Sequence, residues 1–142
     1  MGEPIIRVAV CDDARAVKLF FRQVLEEEGD IEVASATSTG RAALDALGRH
    51  RPDVLLLDLL LPDVADPAAL ICQLRERSPA TAIVLISNMP ESKLKEEAER
   101  LGADGWMLKA QKPEQLRDAV RRALAPGSEV SRRAAADGTR PA

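Results

Sequence analysis

The sequence predicts a doubly wound α/β fold on a single parallel sheet, and three observations predict it. Short runs rich in Val, Ile and Leu alternate five times with segments of helical periodicity. The runs show no inside–outside alternation, as expected of strands covered by helices on both faces. Four of them end in polar residues, where sheets of this kind gather ligands.

The first run, Ile5 to Val10, ends abruptly in Cys11-Asp12-Asp13 and reads as a buried strand followed by an acidic turn. A helix follows, with Val17, Phe20, Phe21, Val24 and Leu25 on its apolar face, Arg15, Lys18, Arg22 and Glu26 opposite, and Gly29 as the stop. Ile31 to Ala36 is the second strand. After Thr37-Ser38-Thr39-Gly40, the apolar positions Ala43, Leu44 and Leu47 predict a second helix closed by Pro52. Val54 to Leu57 is the third strand, and Asp58 ends it. A helix around Leu70, Ile71 and Leu74 leads to a strand from Thr81 to Ile86. A helix around Leu94, Ala98 and Leu101 stops at Gly102, and a short strand runs from Trp106 to Leu108. The last helix carries Leu116, Ala119, Val120, Ala123 and Leu124. Right-handed crossovers then place all five strands in one sheet. From Pro126 the composition turns to Gly, Ser, Ala and Arg without periodicity. The expected organisation is one domain over residues 1 to 125 and a flexible tail or linker stump over 126 to 142.

Composition removes several function classes. Phe20, Phe21 and Trp106 are the only aromatics, too few for a single-strand nucleic-acid platform. The net charge of −3 is scattered, with no basic stripe for a phosphate backbone, so direct nucleic-acid binding is not expected. Cys11 and Cys72 read as two reduced core thiols. The N-terminal stretch has no charged segment followed by a long apolar one, and Asp58 interrupts the longest apolar run. The expectation is a cytoplasmic chain that neither is secreted nor spans a membrane.

The chemistry gathers at the carboxyl ends of the strands. Asp12 and Asp13 follow the first, Asp58 the third, Ser87 the fourth and Lys109 the fifth. Each has an ordinary explanation alone: paired aspartates make turns, serines cap helices, lysines are solvated. Their coincidence on one rim is what points to function. Three neighbouring carboxylates repel one another without a cation, and an all-oxygen cluster suits Mg²⁺. Asp58, at the centre of the sheet, is then the nucleophile for a phosphoryl group, with Lys109 and Ser87 available to its oxygens.

These motifs resemble the receiver domain of bacterial two-component response regulators over about residues 5 to 124. The likeness rests on Cys11-Asp12-Asp13, the run from Arg51 to Pro62, Ser87, and Gly102-Ala-Asp-Gly-Trp-Met-Leu-Lys109. It implies a flavodoxin-like sheet in order 2-1-3-4-5 with five helices. It implies Asp13 and Asp58 as direct Mg²⁺ ligands, Asp12 acting through water, and the Leu60 carbonyl completing the set. It implies a sensor histidine kinase as phosphoryl donor to Asp58, with Ser87 and Trp106 as the switch that remodels the face of helix four, strand five and helix five. The implied activity is self-catalysed phosphoryl acceptance and autodephosphorylation, without turnover of a metabolite. The lack of a proline after Lys109 is similar to receivers that precede a helix-turn-helix DNA-binding domain. The implied partners beyond the kinase are such a domain, missing here, or a separate effector, together with a phosphorylation-dependent homodimer.

The sequence departs from the family at three places. Trp106 stands for the usual Tyr or Phe, Asn88 for a small residue beside the phosphate, and Asp66-Pro67 for the glycine that usually follows the Pro62 turn. These leave open a second reading, a phosphorylation-independent interaction module. A hydrolase of the haloacid dehalogenase kind wants a second acid two residues after the nucleophile, where this chain has Leu60. His50, the only histidine, is expected to serve the carboxyl end of helix two.

Overall fold

A computed structural model of the chain describes residues 4–124. The expected boundary at residue 125 and the tail from 126 to 142, with Arg132, Arg133 and Arg140, lie outside those residues. Ten elements alternate: β1 (Ile6–Cys11), α1 (Arg15–Glu26), β2 (Ile31–Thr37), α2 (Gly40–His50), β3 (Val54–Asp58), α3 (Pro67–Arg77), β4 (Ala82–Ser87), α4 (Glu91–Leu101), β5 (Gly105–Leu108) and α5 (Pro113–Ala123). The strands form one five-stranded sheet in order β2-β1-β3-β4-β5, every pair parallel. This is the flavodoxin-like arrangement expected.

The apolar runs are explained by two cores, one on each face of the sheet. Val8 and Val10, Val54 and Leu56, and Ala82, Val84 and Ile86 face one core, with Phe21, Val24 and Leu25 of α1 and Leu116 and Val120 of α5. The alternate residues Ala9 and Cys11, Leu55 and Leu57, and Ile83 and Leu85 face the other, with residues of α2, α3 and α4. Because successive side chains in a strand point to opposite faces, a strand buried twice must be apolar at every position. All residues of β3 and β4 are buried, and the only polar ones, Asp58 and Ser87, are their last.

Part-buried aspartates at the opposite end of the sheet are structural. Asp53, just before β3, accepts from the backbone N–H of Arg7 at 2.8 Å. Asp104, just before β5, accepts from the N–H of Ile83 at 2.8 Å and from Arg75 at 3.3 Å. Each supplies an acceptor to an N–H beside the start of a neighbouring strand. Asp66 is the N-cap of α3, accepting from Ala68 and Ala69, and Pro67 takes the first helical position, where its missing N–H has no consequence. That pair is a helix start.

The structure corrects three expectations. Cys72 is exposed and is not a core thiol. It lies about 200° around α3 from Leu70, which puts it on the solvent side of a helix that buries Leu70, Ile71 and Leu74. Phe20 is 43% exposed, while Phe21 beside it is buried. Pro52 does not itself close α2; Arg51 ends it in the left-handed conformation, φ 44° and ψ 62°, with its N–H on the Leu47 carbonyl. The sequence offers no sign of this, since such a position favours glycine.

The left-handed region penalises any residue carrying a Cβ. Arg51→Gly is therefore expected to stabilise the fold by about 1 kcal/mol, after allowance for the greater freedom of glycine in the unfolded chain. Urea denaturation checks it: the midpoint should rise with an unchanged slope.

Candidate functional site

The carboxyl ends of the parallel strands make the mouth of the sheet. Backbone bonds hold these ends together: Asp12 N–H donates to the Thr37 carbonyl at 3.0 Å, Leu59 N–H to Ile86 at 3.1 Å, and Lys109 N–H to Ser87 at 2.9 Å. In sequence parity, Asp12 continues the Val8–Val10 row, Asp58 the Val54–Leu56 row and Lys109 the Met107 row. All three thus extend the face covered by α1 and α5, which is why groups from different strands meet.

Asp12, Asp13 and Asp58 each present an oxygen within 4.8 Å of the others. Asp12 is fully buried and Asp58 nearly so, whereas Asp13 is exposed. The ammonium of Lys109, its side chain 13% exposed, reaches past the end of β4 to Asp12 Oδ2 at 2.7 Å and Asp58 Oδ2 at 3.3 Å. Asp12 Oδ1 accepts from Ala14 N–H at 2.8 Å and Asp58 Oδ1 from Leu60 N–H at 3.0 Å. Each carboxylate thus has one oxygen tied to its own loop and one turned toward the shared centre.

Burial pushes the Asp58 carboxyl above the usual carboxylate range, and the charge of Asp12 adds to this. The Leu60 N–H and the Lys109 charge offset the shift only in part. Burial also opposes charge on Lys109, but the contacts and charges of Asp12 and Asp58 outweigh it and hold the ammonium above its ordinary value. Three carboxylates therefore face a single ammonium, which leaves an excess of two negative charges. Asp12 Oδ2 is buried and faces the Lys109 ammonium at 2.7 Å, a charge it shares with Asp58. An excess negative charge around one shared ammonium, with an exposed third carboxylate, fits a hard divalent cation with room for water.

The other expected site residues are placed differently. Ser87 is buried at the end of β4, beside the end of β3; its hydroxyl oxygen accepts from Met89 N–H at 3.1 Å, so its O–H remains the donor it can give. The side chain of Leu60 is 69% exposed, and its backbone is tied to Asp58. Trp106 is outside the mouth: it pairs with Leu85, packs against the α2–α3–α4 core and lines a cavity of about 500 Å³ with Met107, Gln115 and Asp118. His50 closes α2 at the opposite end of the sheet, where its carbonyl accepts from Arg7 at 2.7 Å. Cys11, beside Asp12, donates through sulfur to the Thr39 carbonyl at 3.3 Å, and burial pushes its thiol up to about 11.

One residue at the rim was missed. The Asp63 carboxylate accepts from Gly40 N–H at 3.0 Å and Arg41 N–H at 3.4 Å, so it belongs to the amino end of α2 and not to the acidic cluster. Its partners lie 23 and 22 residues earlier. No local spacing announces the contact.

Among the described residues no helix is long and apolar enough to cross a membrane. The response regulator receiver domain family matches residues 8–121. The chain is 30% identical to the oxygen regulatory protein NreC of Staphylococcus epidermidis over 116 residues, 82% of this chain and 53% of that one. It is 32% identical to the transcriptional regulatory protein YxjL of Bacillus subtilis over 123 residues, 87% of this chain and 56% of that one. It spans about half the length of the curated relatives it matches. Among solved structures, the receiver domain of the putative regulator NarL of Mycobacterium tuberculosis superposes with a TM-score of 0.75 at 30% identity, covering 84% of this chain and 96% of that one. The chemotaxis regulator CheY4 of Vibrio cholerae gives 0.72 at 25% identity, covering 84% and 99%.

A carboxyl whose folded-state value is raised loses stability as pH climbs from its unfolded value through its folded one. Without metal, the wild type is therefore expected to lose stability across the upper carboxylate range, while the ammonium of Lys109 contributes nothing pH-dependent until far more alkaline pH. Asp58→Asn keeps the acceptor for Leu60 and removes the charge. It should abolish that loss and raise the melting temperature at neutral pH by on the order of 3 °C. Thermal unfolding in chelator-treated buffer across the acid-to-neutral range reads both effects; a lower melting temperature for Asp58→Asn at neutral pH would show that the Lys109 pair outweighs the burial of the charge.

Proposed function

The chain belongs to the response regulator receiver domain family of two-component systems, and from that premise we propose that Asp58 is the phosphate acceptor of its mouth. The observation that carries the reading is the meeting of Asp12, Asp13, Asp58 and Lys109, from three strand ends, around one under-neutralised centre.

In this reading a sensor kinase's phosphohistidine enters the mouth. An Asp58 carboxylate oxygen attacks phosphorus, the new O–P bond forms as the donor's P–N bond breaks, and the histidine leaves with its electron pair. Asp58 is held for this by the Leu60 N–H on its other oxygen. Asp12, Asp13 and Asp58, with the Leu60 carbonyl, would hold Mg²⁺, which when bound supplies the positive charge that lets carboxylates and phosphoryl oxygens share one site. Lys109 is poised to exchange its contact with Asp58 for a phosphoryl oxygen, and the Ser87 hydroxyl donates to another. Drawing Ser87 toward the phosphoryl group pulls on β4, whose end is bonded to Lys109 at the end of β5. Trp106 lies three residues before Lys109 on that strand, beside a cavity of about 500 Å³, which offers the indole room to move. The α4–β5–α5 face is then the output surface.

Reversal requires water to attack phosphorus and expel the Asp58 oxygen. The side chains beside the mouth, Leu60 and Met89, offer that water no polar group, so the acyl phosphate is expected to decay slowly. The kinase, the cytoplasmic setting, a phosphorylation-dependent homodimer, and an output through an effector or a DNA-binding unit joined by residues 126 to 142 belong to the same proposal. One observation favours a second reading. Lys109 already pairs with both buried acids, Asp12 and Asp58, and Asp13 is exposed to solvent, so the cluster is tolerable without metal, as a phosphorylation-independent module requires.

Two measurements decide between them. Treatment with a small phosphodonor and Mg²⁺ should add one phosphoryl group by intact mass, map to Asp58, vanish in Asp58→Asn, and persist for minutes. Equal incorporation in both proteins, or decay within seconds, contradicts the acceptor role or the lifetime respectively. Magnesium at ten times its dissociation constant should stabilise the wild type by about 1.4 kcal/mol, or about 5 °C for a domain of this size, and Asp13→Asn should abolish the shift. A wild type indifferent to both reagents favours the module.

A further inference from the structure

We propose that Asp63, with Gly40, is a positioning residue for the metal side of the mouth, holding the β3–α3 loop against α2; this rests on the magnesium reading of the site. The loop begins at Asp58 and carries Leu60. At its near end it is tied by Leu60 N–H to Asp58 Oδ1 at 3.0 Å, and buried Leu59 and Leu61 anchor it in the core. At its far end Val64 N–H closes a turn on the Leu61 carbonyl at 3.1 Å, and Asp63 straddles the N–H groups of Gly40 and Arg41 at 3.0 and 3.4 Å. The Val64 side chain is seated on Gly40 so closely that a Cβ there would lie 2.6 Å from its Cγ2. Glycine is needed at residue 40 for this approach, not for its backbone angles.

The arrangement does more than start a helix. Thr39 already caps α2, its hydroxyl accepting from Ala42 N–H at 3.0 Å and its carbonyl from Ala43 N–H at 3.0 Å. Asp63 takes the two remaining N–H groups of the first turn, from a loop of the neighbouring strand, and sets its charge against the positive end of α2. The Thr39 carbonyl also accepts from the Cys11 thiol at 3.3 Å, one residue before Asp12. The amino end of α2 therefore bridges the two segments that bear the acidic cluster. Releasing Asp63 frees the loop that carries Leu60 while leaving Asp12, Asp13, Asp58 and Lys109 in place.

Groups that orient ligands from behind commonly change metal affinity by about tenfold or more when removed. Magnesium chloride titrated calorimetrically into metal-free protein should bind Asp63→Ala and Gly40→Ala about tenfold more weakly than wild type. Thr39→Ala removes a cap of the same helix and should lower the melting temperature without changing magnesium affinity. In metal-free protein, amide exchange at Leu60 should quicken in Asp63→Ala and not in Thr39→Ala. Wild-type affinity in both Asp63→Ala and Gly40→Ala, or equal weakening in Thr39→Ala, overturns the proposal and leaves the magnesium reading standing. A wild type that binds no magnesium overturns that reading, and the proposal with it.

Discussion

The ammonium of Lys109 lies 2.7 Å from Asp12 and 3.3 Å from Asp58, and without it two buried carboxylates would face each other where water scarcely reaches. Unit charges about 4 Å apart at the effective dielectric of a protein interact by on the order of 4 kcal/mol, a large share of the stability of a domain this size. Lys109 turns that repulsion into an ion-paired triangle. It does so incompletely: Asp13 remains outside the triangle, Asp12 and Asp58 share one ammonium, and Asp58 stays above the usual carboxylate range. That residual excess of charge weakens the resting state, and in the proposed function it is what a cation and a phosphoryl group would relieve.

The fold explains why the excess is confined to one end of the sheet. Parallel strands all deliver their last residues to the same rim, and strands buried on both faces allow polar side chains only at their ends. Acids at the opposite end, Asp53 and Asp104, meet backbone N–H groups and are absorbed into the structure. Direction of travel along the strand thus separates acids that hold the sheet together from acids that remain available.

Helices supply the other constraint. Arg117, buried on α5, donates to the Val24 carbonyl and Glu27, and Arg121 grips Asp30 through two bonds of 2.9 and 3.0 Å and Glu28 at 2.7 Å. These bonds tie α5 to the end of α1 on one face. On the other, α2 meets the β3–α3 loop through Asp63 and Gly40. The exposed pairs contribute little individually, whereas Arg117 is itself buried where it meets the Val24 carbonyl.

The sequence by itself determined the fold class, the order of the ten elements and the rim to which Asp12, Asp13, Asp58, Ser87 and Lys109 belong. These follow from periodicity and burial, which act between residues close along the chain and so leave a local trace. The solvent side of α3 was also legible, and Cys72 could have been placed there by helix arithmetic. Only the tertiary structure decided that Lys109 reaches across β4 to Asp12, that Asp63 serves α2 instead of the acidic cluster, that Arg51 turns left-handed, and that Phe20 faces outward. Each depends on where segments distant in sequence come to rest against one another. Side-chain reach and close backbone approach are set by that packing, and no spacing along a single strand or helix records it.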